Sequence, residues 1–174
     1  EESIKIMKEC GIKFSNGTGK LKATSHNFPI EFLFLRDDDI PGYVEDGIAD
    51  LGIVGENVVH EEGEEVDIQE NLGFARCRLS LAIPKSEEYT GVNYFEGKKV
   101  ATSYPNILRK FFNQKNVSAD IHEISGSVEI APGIGLADGI FDIVSTGSTL
   151  ISNGLREVER VMDSQAVLIS KPNL

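Results

Sequence analysis

Phe141-Asp142-Ile143-Val144-Ser145-Thr146-Gly147-Ser148-Thr149 sets one carboxylate near the end of an apolar run and follows it with five small or hydroxyl residues. Gly139-Ile140-Phe141 and Ile143-Val144 have strand composition, while Ser148 to Asn153 reads as a short helix stopped by Gly154. Ser145 to Thr149 is then a strand-to-helix turn. At such a turn free backbone N–H groups and the positive end of the helix dipole face outward, and a glycine lets the backbone approach a ligand closely. The run reads as a phosphate cradle, with Asp142 placed to reach the vicinal hydroxyls of a sugar whose phosphate sits in the turn. An ordinary Ser/Thr-capped helix after a buried strand would use the same residue types.

Working outward, the chain has 174 residues, 40% of them hydrophobic, enough to bury a core as one domain or as two small lobes. Its formal charge of −11, with no Lys/Arg block, argues against nucleic-acid and acidic-membrane partners. Any anionic substrate must be met by a local site. Cys10 and Cys77 are too few and too far apart for a disulfide framework or a zinc cluster, and they read as small packing residues in a reducing compartment. No apolar run approaches the roughly 20 residues of a bilayer span and no signal peptide is visible, so the expected location is cytoplasmic.

Glu1 to Gly11 is an amphipathic helix with a glycine stop, and there is no initiator Met; a strand to pack that helix on is expected to precede it. Ile12-Lys13-Phe14 and Leu21 to Thr24 flank Ser15-Asn16-Gly17-Thr18-Gly19-Lys20, which reads as a hairpin loop. The apolar strand Ile30 to Leu35 runs into Arg36-Asp37-Asp38-Asp39-Ile40-Pro41, and charges at a strand's end sit where α/β proteins place ligands. The three Asp read as a helix start with Pro in its first turn rather than as a metal site. Ala49 to Val59 is strand, glycine turn and helix; Gly52 and Gly55 fit close ligand approach or tight packing equally. His60 to Gln69, dense in acids, is expected to be a solvated loop.

Leu72 to Pro84 contains a strand, charged on one face, that should cross between lobes, and a new strand-turn-helix unit from Phe95 to Asn116 opens a second lobe near Pro84. Ala119 to Ile124 is a strand and Val128 to Leu136 a helix, with Glu129 either a routine helix-start carboxylate or a partner of Asp142. Val158 to Val161 and Gln165 to Ile169 read as returning strands. The expected architecture is α/β, two-lobed and periplasmic-binding-protein-like (type II): residues 1–83 form lobe I, 84–155 lobe II, and 156–174 return to lobe I. There is no G-x-S-x-G, H-E-x-x-H, paired C-x-x-C or complete Walker loop.

An acid, three residues, then Thr146-Gly147-x-Thr149 resembles the 5-phosphoribosyl-1-pyrophosphate (PRPP) loop of phosphoribosyltransferases. The wider set, Arg36 to Gly42, Asp50 to Asn57, Cys77 to Ala82, Ala101 to Pro105 and Gly126 to Val158, resembles ATP phosphoribosyltransferase, which opens histidine biosynthesis. The resemblance implies transfer of the phosphoribosyl group of PRPP to N1 of the adenine of ATP, with release of pyrophosphate. It assigns Ser145, Thr146, Gly147, Ser148 and Thr149 to the 5-phosphate, Asp142 and Glu129 to the ribose hydroxyls, and Arg36 and Lys20 to the pyrophosphate, Arg36 across a subunit boundary. Arg36 also fits a charge-balancing role beside three Asp.

The same resemblance implies Mg²⁺ carried by the pyrophosphate rather than by a protein cage, and a homo-oligomer, a dimer at least and a hexamer at full length. It leaves the ATP contacts unassigned. Cys77 to Ala82 and Gly126 to Ala131 look like the long form of the family, whose C-terminal histidine-sensing domain, and so feedback, is not expected within this chain. Gly133 stands where the family commonly has a basic residue, and the family's N-terminal basic turn is not seen, so these residues alone are expected to risk inactivity. The rival expectations are a non-catalytic two-lobed module for small anions and an inactive regulatory subunit.

Overall fold

The computed structural model describes every residue of the chain except 16 and 18. Helix α1 (Glu2–Glu9) is followed by β1 (Lys22–Thr24), β2 (Glu31–Leu33), α2 (Ile40–Glu45), β3 (Leu51–Gly55), α3 (Glu56–Glu62) and β4 (Asp67–Asn71). After these come β5 (Cys77–Pro84), β6 (Lys99–Thr102), α4 (Pro105–Gln114), β7 (Asp120–Glu123), β8 (Gly139–Val144), α5 (Ser148–Ser152), β9 (Leu155–Ser164) and β10 (Ala166–Ser170).

Among the described residues the strands form two larger sheets and one small ribbon. In the first lobe β10 lies between β3 and β4, antiparallel to both, and buries Val167 and Ile169 with Val44 of α2 and Val59 of α3. In the second lobe five strands run in the order β7-β6-β8-β5-β9, with β6 parallel to β7 and β8 while β5 is antiparallel to β8 and β9.

Alternation along β5 divides the second lobe's core. Leu79, Leu81 and Ile83 meet Phe95, Leu108, Phe112 and Phe141 on one face, whereas Ala82 joins Ala101, Ile140 and Val144 on the other. The strand is therefore buried from Leu79 to Ile83, on both faces, and the expected charged face shrinks to Arg78.

The chain changes sheets at Leu72–Arg76 and at Gln165. The two crossings are zipped together: Leu72 N–H donates to the Ala166 carbonyl and Ala166 N–H to the Phe74 carbonyl, both at 2.9 Å. Strand β5, which a boundary after Ile83 would leave in the first lobe, and β9, which a boundary before Arg156 would return to it, both hydrogen-bond within the five-stranded sheet.

Three local expectations differ from what forms. Ile12-Lys13-Phe14 contributes one antiparallel bridge, Phe14 to Ser25, and Lys22–Thr24 pairs instead with Glu31–Leu33. Asn27 takes the place of a ladder there, accepting Lys13 N–H at 2.7 Å and donating to the Gly11 carbonyl at 2.8 Å. Asn16 and Thr18, at the tip of the expected hairpin, lie outside the described residues. Val128–Ile130 is a single 3-10 turn rather than a helix reaching Leu136, because Pro132, Gly133 and Gly135 (φ +76°) follow. The acid-dense stretch from His60 is not a loop throughout: α3 continues to Glu62 and Glu61 is buried.

Candidate functional site

Strand β8 carries Asp142 in register with Ser80 of β5, and the 3-10 turn that carries Glu129 packs against the same strand. Asp142 is half-buried and Ile143 N–H donates to its Oδ1 at 2.8 Å. Burial pushes the Asp142 carboxyl above the usual aspartate range, the Ile143 hydrogen bond opposes this, and the charge of Glu129 adds to the rise. The two acids expected to work together lie close enough for the charge of Glu129 to act on Asp142. Two like charges in a half-buried setting are held at a cost unless a ligand offers donors to them.

Ser145 to Gly147 makes the turn that the sequence predicts, with Gly147 at φ +82° and α5 beginning at Ser148. Thr146 Oγ1 and Ser148 Oγ lie 3.0 Å apart, and Ser145, Thr146, Ser148 and Thr149 are exposed. The N–H groups of Gly147, Thr149 and Leu150 meet no acceptor among the described residues. Helix α5 has only five residues, so its macrodipole is small and the expected dipole contribution gives way to turn N–H groups and hydroxyls.

Arg36 is exposed, just before the 3-10 turn Asp37–Asp39, and Lys20 is exposed after Gly19. Among the described residues neither makes an ion pair, with Asp142 or with any other group. Asp39 provides no side-chain cap to α2, although Pro41 lies in the helix's first turn as expected.

The lobes meet through groups that motif reading passed over. Asn57 of α3 takes its backbone N–H to Ser164 Oγ at 3.0 Å, accepts the Ser164 hydroxyl at 2.9 Å and donates to Tyr104 Oη at 3.4 Å. Burial, with the charge of Asp142 next in size, pushes the Tyr104 phenol up to about 12, so it keeps its proton at neutral pH. Glu61 Oε1 and Oε2 accept the N–H groups of Asn106 and Ile107, each at 2.9 Å, in the first turn of α4. Tyr104, at the cap position of that helix, makes no capping bond of its own. Sequence marks Glu61 only as one acid among several, and a cap supplied from another lobe leaves no local pattern.

Fold and site together define a class: two-lobed α/β proteins of the type II periplasmic-binding-protein kind. The chain superposes on the substrate-binding protein of an amino acid ABC transporter with a TM-score of 0.57 at 10% identity, covering 79% of this chain and 64% of that one. Identity so low shows the fold alone. The family model described as "HisG: ATP phosphoribosyltransferase" matches residues 36–174, and the chain belongs to the ATP phosphoribosyltransferase family. All of the chain aligns with ATP phosphoribosyltransferases of Cytophaga hutchinsonii, at 62% identity over 61% of that relative, and of Parabacteroides distasonis, at 60% identity over 62%. The chain thus spans about three-fifths of the length of these curated relatives. An ATP phosphoribosyltransferase (HisG:HisZ) complex from Thermotoga maritima superposes with a TM-score of 0.85 at 27% identity, covering 98% of this chain and 82% of that one.

Proposed function

We propose that this chain carries the phosphoribosyl site of an ATP phosphoribosyltransferase and serves the first step of histidine biosynthesis. The observation that carries the reading is the half-buried Asp142, with Glu129 beside it, separated by three residues from the turn Thr146-Gly147-Ser148-Thr149. A plain anion binder has no use for an acid pair next to its anion. A ribose has, because its vicinal hydroxyls donate to carboxylates.

In this reading the turn N–H groups and the hydroxyls of Ser145, Thr146, Ser148 and Thr149 hold the 5-phosphate, and Gly147 lets that phosphate approach the backbone. Asp142 and Glu129 accept from the ribose hydroxyls, which fixes the ring. N1 of the adenine brings its lone pair to the anomeric carbon; the N1–C1 bond forms as the bond from C1 to the pyrophosphate oxygen breaks, and the pyrophosphate leaves with that electron pair. No nucleophilic side chain is needed. The protein orients two substrates, and the acid pair places negative charge beside a ribosyl group that turns cationic in the transition state.

Bound as the counter-ion of pyrophosphate, magnesium would supply neutralisation of charge on the leaving group. Among the described residues no group of three or more His, Cys, Asp or Glu is arranged to hold a metal ion, and the pair Glu129 and Asp142 suits ribose hydroxyls or a metal-bound water. Arg36 and Lys20, both exposed, complete the pyrophosphate site in this reading, Arg36 from a neighbouring subunit of a homo-oligomer. No described helix is long and apolar enough to cross a membrane, in keeping with a cytoplasmic enzyme.

The test is calorimetric titration of PRPP with Mg²⁺ into the complete protein carrying this chain, beside Asp142→Asn and Thr149→Ala. Both substitutions should weaken binding by about tenfold or more, since each removes a strong hydrogen bond to substrate. PRPP binding that depends on Thr149 but ignores Asp142 would reduce the site to a simple anion binder.

A further inference from the structure

The family's chemistry brings two polyanions together, and the cradle accounts for one phosphate. Beside it lies a cavity of about 450 Å³ lined by Arg76, Arg78 and Arg160 together with Ser145, the first residue of the cradle. The chain has only six arginines, and three of them converge here in a protein of charge −11. We propose that this cavity seats the polyphosphate chain of the nucleoside triphosphate substrate, an assignment that rests on the phosphoribosyl site argued above.

The three arginines are held differently, and the difference suits the task. Arg78 is fixed: its Nε donates to Glu157 at 2.7 Å, its Nη1 donates to the Ser145 carbonyl at 3.1 Å, and it is only a quarter exposed. It ties the cavity wall to the cradle, so an anion in one lies next to a phosphate in the other. Arg160 pairs with Asp163, but both side chains are more than half exposed, and a pair so exposed contributes little and exchanges readily for a stronger anion. Arg76 has the Gly73 carbonyl, at 3.4 Å, as its hydrogen-bond partner.

Glu56 and Asp163 also line the cavity. They set a threshold: a single phosphate gains little against two carboxylates, whereas a triphosphate carries enough charge to displace Asp163 from Arg160 and engage Arg76 as well. Planar guanidinium forks match successive phosphates along such a chain. Ser80 adds an independent sign of a ligand-directed face. It is 1% exposed, its hydroxyl has no partner among the described residues, and it stands in register between Asp142 of β8 and Arg160 of β9. One row across three strands thus joins the ribose acid to the arginine cavity.

The experiment is calorimetric titration of ATP, adenosine and PRPP into the complete protein, wild type and an Arg76→Ala/Arg160→Ala double variant, at low and high salt. Both arginines are exposed, so the variant should fold, which its thermal transition checks. ATP affinity should fall about tenfold per arginine with a shallower salt dependence, while adenosine and PRPP stay within about twofold. Unchanged ATP affinity, or no ATP binding to the wild type, overturns the assignment. A loss of PRPP affinity as large as that of ATP also overturns it, because the cavity would then serve pyrophosphate. Failure of PRPP to bind the wild type would sink the phosphoribosyl reading instead, and the ATP arm would still decide the cavity.

Discussion

Glu61 holds the lobes together through a helix cap that belongs to neither sequence neighbourhood, and its removal has a calculable effect. The side chain is 8% exposed, and its two oxygens accept from Asn106 and Ile107 while its backbone carbonyl accepts from Asn106 Nδ2 at 3.1 Å. Glu61→Ala deletes two charge-assisted bonds. Asn106 is exposed and its N–H can turn to water, but Ile107 is buried and its N–H cannot. Loss of a cap costs about 1 kcal/mol and an unsatisfied buried donor about 1 kcal/mol more, so a total near 2 kcal/mol follows, or roughly 4–8 °C in Tm for a chain of this size.

The pH dependence sharpens the test. Burial pushes the Glu61 carboxyl above the usual glutamate range, more than the two N–H donors pull it down. A carboxyl raised in the folded state contributes stability that is complete below its unfolded pKa and is lost as pH rises through the folded one. The deficit of Glu61→Gln, which keeps one acceptor but does not titrate, is therefore largest in acid and narrows towards neutral pH. Thermal unfolding from acid to neutral pH measures both variants. A Tm of Glu61→Ala within about 1 °C of wild type would show that water caps α4 equally well, and a Glu61→Gln deficit that widens with pH would show that the ionised cap outweighs burial.

Two further outcomes follow from packing and charge. A Cβ at Gly52 would lie 2.7 Å from Ile40 Cγ2 and 3.1 Å from Ile169 Cγ1, so Gly52→Ala overpacks the first lobe and should cost about 1–3 kcal/mol in urea unfolding, with PRPP affinity of the folded fraction intact. Asp142→Asn should raise or preserve Tm at neutral pH even as it weakens PRPP binding, because the Asp142 carboxyl is raised by burial and its ionised form destabilises the free protein there. A clear loss of Tm in that variant would mean that Asp142 is a structural ion and not a ligand-directed one.

The turn from Ser145 to Thr149 was legible because its geometry is written locally. Strand composition before Ser145, a glycine where φ is positive and hydroxyls on either side are all properties of consecutive residues. Helix α4 and strands β6, β7 and β8 were legible for the same reason. What stayed hidden depends on partners distant in sequence. Strand β5 alternates like a half-exposed strand, and only the layers on both faces reveal that Ser80 and Ala82 are buried. Asn27, a polar residue in a polar stretch, replaces a hairpin ladder through bonds to residues 14 and 16 positions earlier. Arg76, Arg78 and Arg160 meet only because β5 and β9 pair, so no window along the chain contains their cavity.

The same distant pairing decides where a phosphate can go. Helix α4 has ten residues against five for α5, so by dipole and free N–H groups alone its N-terminus is the stronger anion site of the two. Its N–H groups are already taken by the Glu61 carboxylate, an anion supplied by the opposite lobe. The shorter helix is left open, and its weak dipole is made up by the hydroxyls of Ser145, Thr146, Ser148 and Thr149. On the proposed reading, closing the better general anion site would direct phosphate to the turn that has an acid pair beside it, and only a phosphate attached to a ribose could use both. On that reading this would select for phosphoribose without a net positive surface: Glu61 removes the competing site, the turn supplies neutral donors, and Asp142 and Glu129 would repel a bare anion while accepting from a sugar.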